Sequence, residues 1–277
     1  MSRFLPRRSA ERSGRTAADG GGRRVFITGA ASGLGLALAR EYLAAGDEVI
    51  LSDVHADPPE AVRSLGGSWT YHRLDVTSDD DWRRAADEID RLDILVNNAG
   101  IAVGGSLEST SIESWQRIVD INLLGVVRGC RALAPKLGRG GRLVITASAA
   151  GLVHAPQMGA YNATKAAAVA LGETLDAELR PRGVSTSVIC PQFFRSGLAD
   201  SLSGEDARAD EMARRLLTRT HLTSEIIARR SVRGIEARRV VITPDALATF
   251  FWYSKRFSRM PFLGSTRLIG RVVARGR

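Results

Sequence analysis

Short runs of β-branched and aromatic residues recur along the chain, and most are followed by a stretch whose apolar residues return at helical spacing. The runs predict strands over 24–28, 48–53, 69–74, 93–96, 142–146 and 184–190, with a short seventh at 239–243. Helices are expected over 36–45, from a cap near Thr77 and Ser78 through Arg91, behind Ser111 from 112 to about 137, and over 166–179. Arg180-Pro181-Arg182-Gly183 stops the last of these, and Asn122, a poor helix-interior residue, marks a local distortion within the long one. Strand and helix alternate six times with short connections. That order predicts a doubly wound parallel α/β sheet of about seven strands, with helices on both faces and ligands at the carboxyl ends of the strands.

A hydrophobic fraction of 44% over 277 residues is ample for a sizeable core. No apolar run approaches the roughly 20 residues that span a bilayer, and the arginine-containing start lacks a signal peptide's apolar core. The expectation is a cytoplasmic protein with a disordered basic segment at 1–23, a catalytic domain at 24–243, and a basic, aromatic extension at 244–277. The formal charge of +9 belongs to the ends: seven arginines face two acids over 1–24, twelve Lys or Arg face two acids over 229–277, and the body between is acidic. That distribution argues against a nucleic-acid partner. Cys130 and Cys190 lie in apolar segments without neighbours at metal-ligand spacing, so they read as buried thiols and no metal site is expected.

The first strand leads directly into Gly29-Ala30-Ala31-Ser32-Gly33-Leu34-Gly35 and then a helix. Glycines allow the tight turn and close backbone approach that a pyrophosphate needs, and the helix N-terminus offers free N–H groups. Asp53 closes the second strand eighteen positions beyond Gly35. A carboxylate there accepts both adenosine ribose hydroxyls and repels a 2′-phosphate, which favours NAD over NADP. Tyr161 and Lys165 stand one helical turn apart, with Ser148 thirteen positions before the tyrosine. An ammonium beside a phenol favours the phenolate and is expected to lower the tyrosine pKa toward neutrality.

Thr28, Gly29, Gly33 and Gly35, then Asn97-Asn98-Ala99-Gly100, then Asn122, Ser148, Tyr161 and Lys165 resemble, in order and spacing, the motifs of the short-chain dehydrogenase/reductase family over about 24–196. The resemblance implies a Rossmann fold, an enzyme acting on CH–OH groups, and a homodimer or homotetramer. It implies that Asn122, Ser148, Tyr161 and Lys165 are catalytic. It also implies that Gly29, Ser32, Gly33, Leu34, Gly35, Asp53, Asp75, Val76, Asn97, Gly100, Phe194 and Ser196, with Tyr161 and Lys165, hold the cofactor: Asp75 and Val76 flank the adenine, Asn97 lies along the adenosine, and Phe194 meets the nicotinamide. One departure is Gln192, where the family usually has Gly; it either narrows specificity or changes the loop's backbone.

The function expected is reversible hydride transfer between NAD(H) and a hydrophobic secondary alcohol or ketone, with Val103, Met158, Gln192 and Phe193 against the substrate. His154 either joins them or is a solvated loop residue. A substrate lid is expected over about 192–237, including a helix at 205–217. The interleaved aromatics and arginines of 250–277 suit either peripheral contact with a membrane or an amphipathic segment packed on the substrate side or on a partner subunit. A non-catalytic NAD sensor or a lipid-associated protein on the same fold are the alternatives.

Overall fold

The computed structural model describes residues 22–195, 206, 211, 214, 215 and 220–275. The strands are β1 (Arg24–Thr28), β2 (Glu48–Asp53), β3 (Trp69–Arg73), β4 (Leu92–Asn97), β5 (Leu137–Thr146), β6 (Ser185–Ile189) and β7 (Val241–Ile242). They form one sheet in the order β3-β2-β1-β4-β5-β6-β7, every neighbouring pair parallel. Alternation along the central strands sends Val25, Ile27, Val49, Leu51, Ile94 and Val96 to one face and Phe26, Ile50, Leu95 and Leu143 to the other, and both sets are buried.

Helices cover both faces. On one, α1 (Gly33–Ala44) contributes Leu34, Leu38 and Tyr42. On the other lie α3 (Asp79–Glu88), reached after the single turn α2 (Glu60–Arg63), and the segment predicted as one long helix. That segment is broken into α4 (Ile112–Val119), a π-helical turn (Asp120–Leu124) and α5 (Gly125–Leu133), and ends in a 3-10 turn containing Pro135. The distortion expected at Asn122 is this π turn. Beyond the one-turn α6 (Ala150–Val153), the long α7 (Gly159–Leu179) packs Ala168 and Val169 against Ile145 and Val188 on the same face.

Next in sequence, α8 (Ser224–Glu236) corrects the lid expectation at its C-terminal end. Its apolar stripe, Ile227, Ala228 and Ile235, is buried in the core cluster that includes α1, so these residues build the domain rather than cover a substrate. Beyond the end of β6, Arg195 and Thr223 form an isolated parallel bridge, in which Arg195 N–H donates to the Leu222 carbonyl at 2.9 Å. Of the rest of the proposed lid, Ser196 and most of 197–219, including most of its expected helix, lie outside the described residues, as does the expected N-terminal disorder at 1–21. The C-terminal extension forms α9 (Ala246–Phe257), capped by Asp245, and α10 (Arg259–Arg275). No helix among the described residues is long and apolar enough to cross a membrane.

Candidate active site

A cleft of about 1070 Å³ opens at the carboxyl ends of the strands. One end is the β1–α1 turn, where Gly29, Ser32, Gly33 and Leu34 line the wall. Gly29 and Gly33 have φ of 64° and 55°, a region that favours glycine, and a Cβ on Gly29 would meet Ala99 Cα at 2.8 Å. Gly35 lines no part of the cleft. It is buried against the Gly29 carbonyl, which a Cβ would meet at 2.2 Å, so its place is in closing the turn rather than in touching a ligand. Ser32 is the N-cap of α1 and makes no side-chain cap bond, leaving first-turn N–H groups directed at the turn.

Asp53, Asp75 and Val76 line the wall beyond this turn. Asp53 accepts from Ala31 N–H at 3.0 Å through Oδ2 and from Val54 N–H at 2.9 Å through Oδ1, which also lies 2.8 Å from His55 Nδ1. Asp75 accepts from the backbone and hydroxyl of Thr77. Asn97 does not face the cleft: it is the last residue of β4, and its Nδ2 reaches Cys130 Sγ on α5 at 3.4 Å. Its neighbour Asn98, which the sequence reading passed over, does face it. Asn98 Nδ2 donates to the carbonyls of Thr28 and Gly29, Thr146 Oγ1 donates to Asn98 Oδ1, and Thr28 Oγ1 accepts from the backbone N–H of both Asn98 and Ala99. Asn98 thereby ties the ends of β1, β4 and β5 beneath the glycine turn.

Ser148, Tyr161 and Lys165 meet at the centre of the cleft with Gly100. Ser148 Oγ donates to the Pro191 carbonyl at 3.4 Å and accepts from Ala150 N–H at 3.1 Å, close enough to Tyr161 to act on its hydroxyl, and Lys165 Nζ donates to the Thr146 carbonyl at 3.0 Å. Burial dominates their electrostatics: the Tyr161 hydroxyl is pushed up to about 12 and the Lys165 ammonium down to about 8. The expected lowering of Tyr161 by Lys165 is therefore absent here, where Nζ lies 5.8 Å from the ring centroid and is engaged with Thr146. Both cysteines are raised to about 12 by burial, and Cys190 is fully buried.

Asn122 stands behind this group rather than in the cleft wall. The π turn carries it inward, where its Oδ1 accepts from Ile101 N–H at 2.8 Å and its Nδ2 donates to the Ile101 carbonyl at 2.9 Å. A Cβ on Gly100 would lie 3.1 Å from Asn122 Oδ1 and 3.3 Å from Lys165 Nζ, so amide and ammonium flank the same point of the backbone.

At the far end, Met158, Gln192, Phe193 and Phe194 line the wall. Two expected substrate residues do not. Val103 is buried with Ile118 and Tyr161 in a small apolar cluster. His154 turns away at φ 55°: its Nε2–H donates to the Gly151 carbonyl, its Nδ1 accepts from Lys255 Nζ at 2.9 Å, and burial with the nearby ammonium lowers its pKa. The extension joins the site instead. Ala248, Phe251, Phe262, Ser265 and Thr266 of α9 and α10 complete the wall, and Asp245 accepts from Gln192 N–H at 3.1 Å, fixing the loop after β6 to the start of α9. Among the described residues no cluster of His, Cys, Asp or Glu could hold a metal ion.

The fold and this cleft define a dinucleotide-binding α/β enzyme, and the residues fit such a cofactor: the glycine turn admits no Cβ, and open N–H groups face it. The family model for short chain dehydrogenases matches residues 23–207, and the chain belongs to that family, the short-chain dehydrogenase/reductases, whose members are NAD(P)-dependent oxidoreductases acting on CH–OH groups. Similar proteins include an NADP-dependent (R)-specific alcohol dehydrogenase of Lentilactobacillus kefiri, 32% identical over 67% of this chain and 78% of that one. Another is a 3-alpha-(or 20-beta)-hydroxysteroid dehydrogenase of Mycobacterium tuberculosis, 33% identical over 65% of this chain and 72% of its own. Among solved structures, a short-chain dehydrogenase/reductase from Burkholderia phymatum in complex with NAD superposes with a TM-score of 0.76 at 29% identity, covering 93% of this chain and 96% of that one.

Proposed function

We propose that this protein catalyses reversible hydride transfer between NAD(H) and an apolar secondary alcohol or its ketone. The observation that carries the reading is the meeting of the Ser148 and Tyr161 hydroxyls and the Lys165 ammonium in the same cleft as the glycine turn. A bound nicotinamide supplies the hydride acceptor in oxidation and the donor in reduction. The backbone of the β1–α1 turn would hold the pyrophosphate, Asp53 the adenosine ribose, Asp75 and Val76 the adenine, Lys165 the nicotinamide ribose, and Phe194 the nicotinamide end. Tyr161 Oη takes the proton from the substrate hydroxyl in oxidation and returns it in reduction. Ser148 Oγ donates to the substrate oxygen and stabilises charge developing there. Ser148 opposes the burial that raises Tyr161, and Asn122 orients a water between the Lys165 ammonium and solvent.

NAD is preferred over NADP on the strength of Asp53, since none of the lining residues that follow β1, β2 and β3 is basic. The apolar wall of Val153, Met158, Phe193, Phe251 and Phe262 supports a hydrophobic alcohol over a charged one. Tyr161→Phe tests the assignment: turnover falls by about 100-fold or more, the range of a lost general acid–base group, while NADH binding measured by fluorescence titration stays within about twofold. Retention of most of the activity would show that Tyr161 is not the proton carrier.

A further inference from the structure

Among the described residues, the face of α9 turned away from its buried side has no cover. Leu247, Phe250, Tyr253 and Phe257 recur at three- and four-residue spacing along it and are 48%, 63%, 48% and 78% exposed. The buried side of the same helix is formed by Ala248, which is 1% exposed, with Trp252 packed against the α7 cluster. Met260 and Leu268 of α10 add exposed apolar surface, and Arg256, Arg259, Arg267 and Arg271 are exposed around it. Over 246–277 the chain has seven Lys or Arg and no Asp or Glu.

We infer that α9 and α10 seat the protein on an anionic lipid surface. Charge complementarity selects this occupant. A helix face with large apolar and aromatic side chains, edged by arginines without an acid in its sequence, matches the boundary between acyl chains and negative headgroups. A second copy of the same face would instead bring like charges together, with no acid of these helices to offset them. Docking also places the cleft beside the bilayer, because Phe251 and Phe262 of these helices line its wall. An apolar alcohol dissolved in lipid then enters without crossing water, a consequence that rests on the proposed reaction; the docking itself does not.

The test is flotation of the full-length protein with vesicles of phosphatidylcholine alone or of phosphatidylcholine mixed with phosphatidylglycerol. The protein floats with the anionic vesicles only, and added salt releases it. R256E/R259E and F250S/F257S each lower the bound fraction about tenfold or more, while turnover of a short water-soluble secondary alcohol is unchanged. None of these four residues lines the cleft. Failure of the wild type to float with either vesicle overturns the inference, as does light scattering showing that F250S/F257S dissociates an oligomer, which would make the face a contact between copies. Flotation without turnover of any alcohol would refute the proposed reaction and leave the docking intact; turnover without flotation would do the reverse.

Discussion

Replacing Lys165 with Met should remove activity and leave the ligand-free fold as stable as the wild type, or more so. Lys165 is 4% exposed, and burial takes its pKa from 10.5 to about 8. That displacement corresponds to roughly 3 kcal/mol by which the folded state disfavours the ammonium. Methionine of similar length is free of it, but leaves the Thr146 carbonyl without its donor, which costs about 1–3 kcal/mol. The net at neutral pH is a variant about 0–2 kcal/mol more stable. The pH dependence isolates the cause. Below about 8 both folded and unfolded chains hold the proton and the penalty is complete. Between about 8 and 10.5 the folded protein releases the proton that the unfolded chain keeps, so wild-type stability rises with pH through this window. Cys130, Cys190 and Tyr161 shift the opposite way, raised on folding, and lower stability in alkali for both proteins, so they largely cancel in the difference. Urea unfolding of both proteins from about pH 7 to about pH 10 should show the wild type gaining roughly 2–3 kcal/mol on Lys165→Met. A difference that stays flat with pH would refute the claim that burial depresses this lysine.

Gly35→Ala brings a Cβ to 2.2 Å from the Gly29 carbonyl and 2.7 Å from Asn98 Nδ2. The turn must open, lowering stability by about 1–3 kcal/mol and weakening NADH binding; an unchanged urea midpoint with unchanged NADH titration would show that the turn tolerates the methyl group. Asp53→Asn removes the negative charge expected to repel a 2′-phosphate, and the ratio of kcat/KM for NAD over NADP should fall about tenfold or more; steady-state kinetics giving an unchanged ratio would dismiss Asp53 as the selector.

The sheet and the centre of the site were legible because both depend on local pattern. Alternating strand and helix, the glycine turn after β1, and the helical spacing of Tyr161 and Lys165 are properties of neighbouring residues. What was missed depends on direction or on distant packing. Asn97 and Asn98 look equivalent in sequence, yet strand alternation carries Asn97 toward Cys130 and releases Asn98, one residue past β4, to the cleft. The break in the long helix had a signal in Asn122 and its end one in Pro135, but that the π turn puts Asn122 behind the site instead of in its wall did not show. Lys165 was expected to govern Tyr161, but the balance between a neighbouring charge and burial is set by the whole core around the pair. The amphipathic character of 250–277 was plain, whereas its contribution of Phe251 and Phe262 to the cleft wall required knowing where α9 and α10 pack.

Hydride transfer itself is tested most directly with a panel of apolar secondary alcohols deuterated at the carbinol carbon, incubated with the protein and NAD, and followed by mass spectrometry of the NADH formed. The account predicts that at least one alcohol yields NADH carrying its deuterium, with the label lost from the ketone product and no transfer by Tyr161→Phe. NADH without deuterium, or no NADH from any alcohol by a protein that binds NAD, would contradict it.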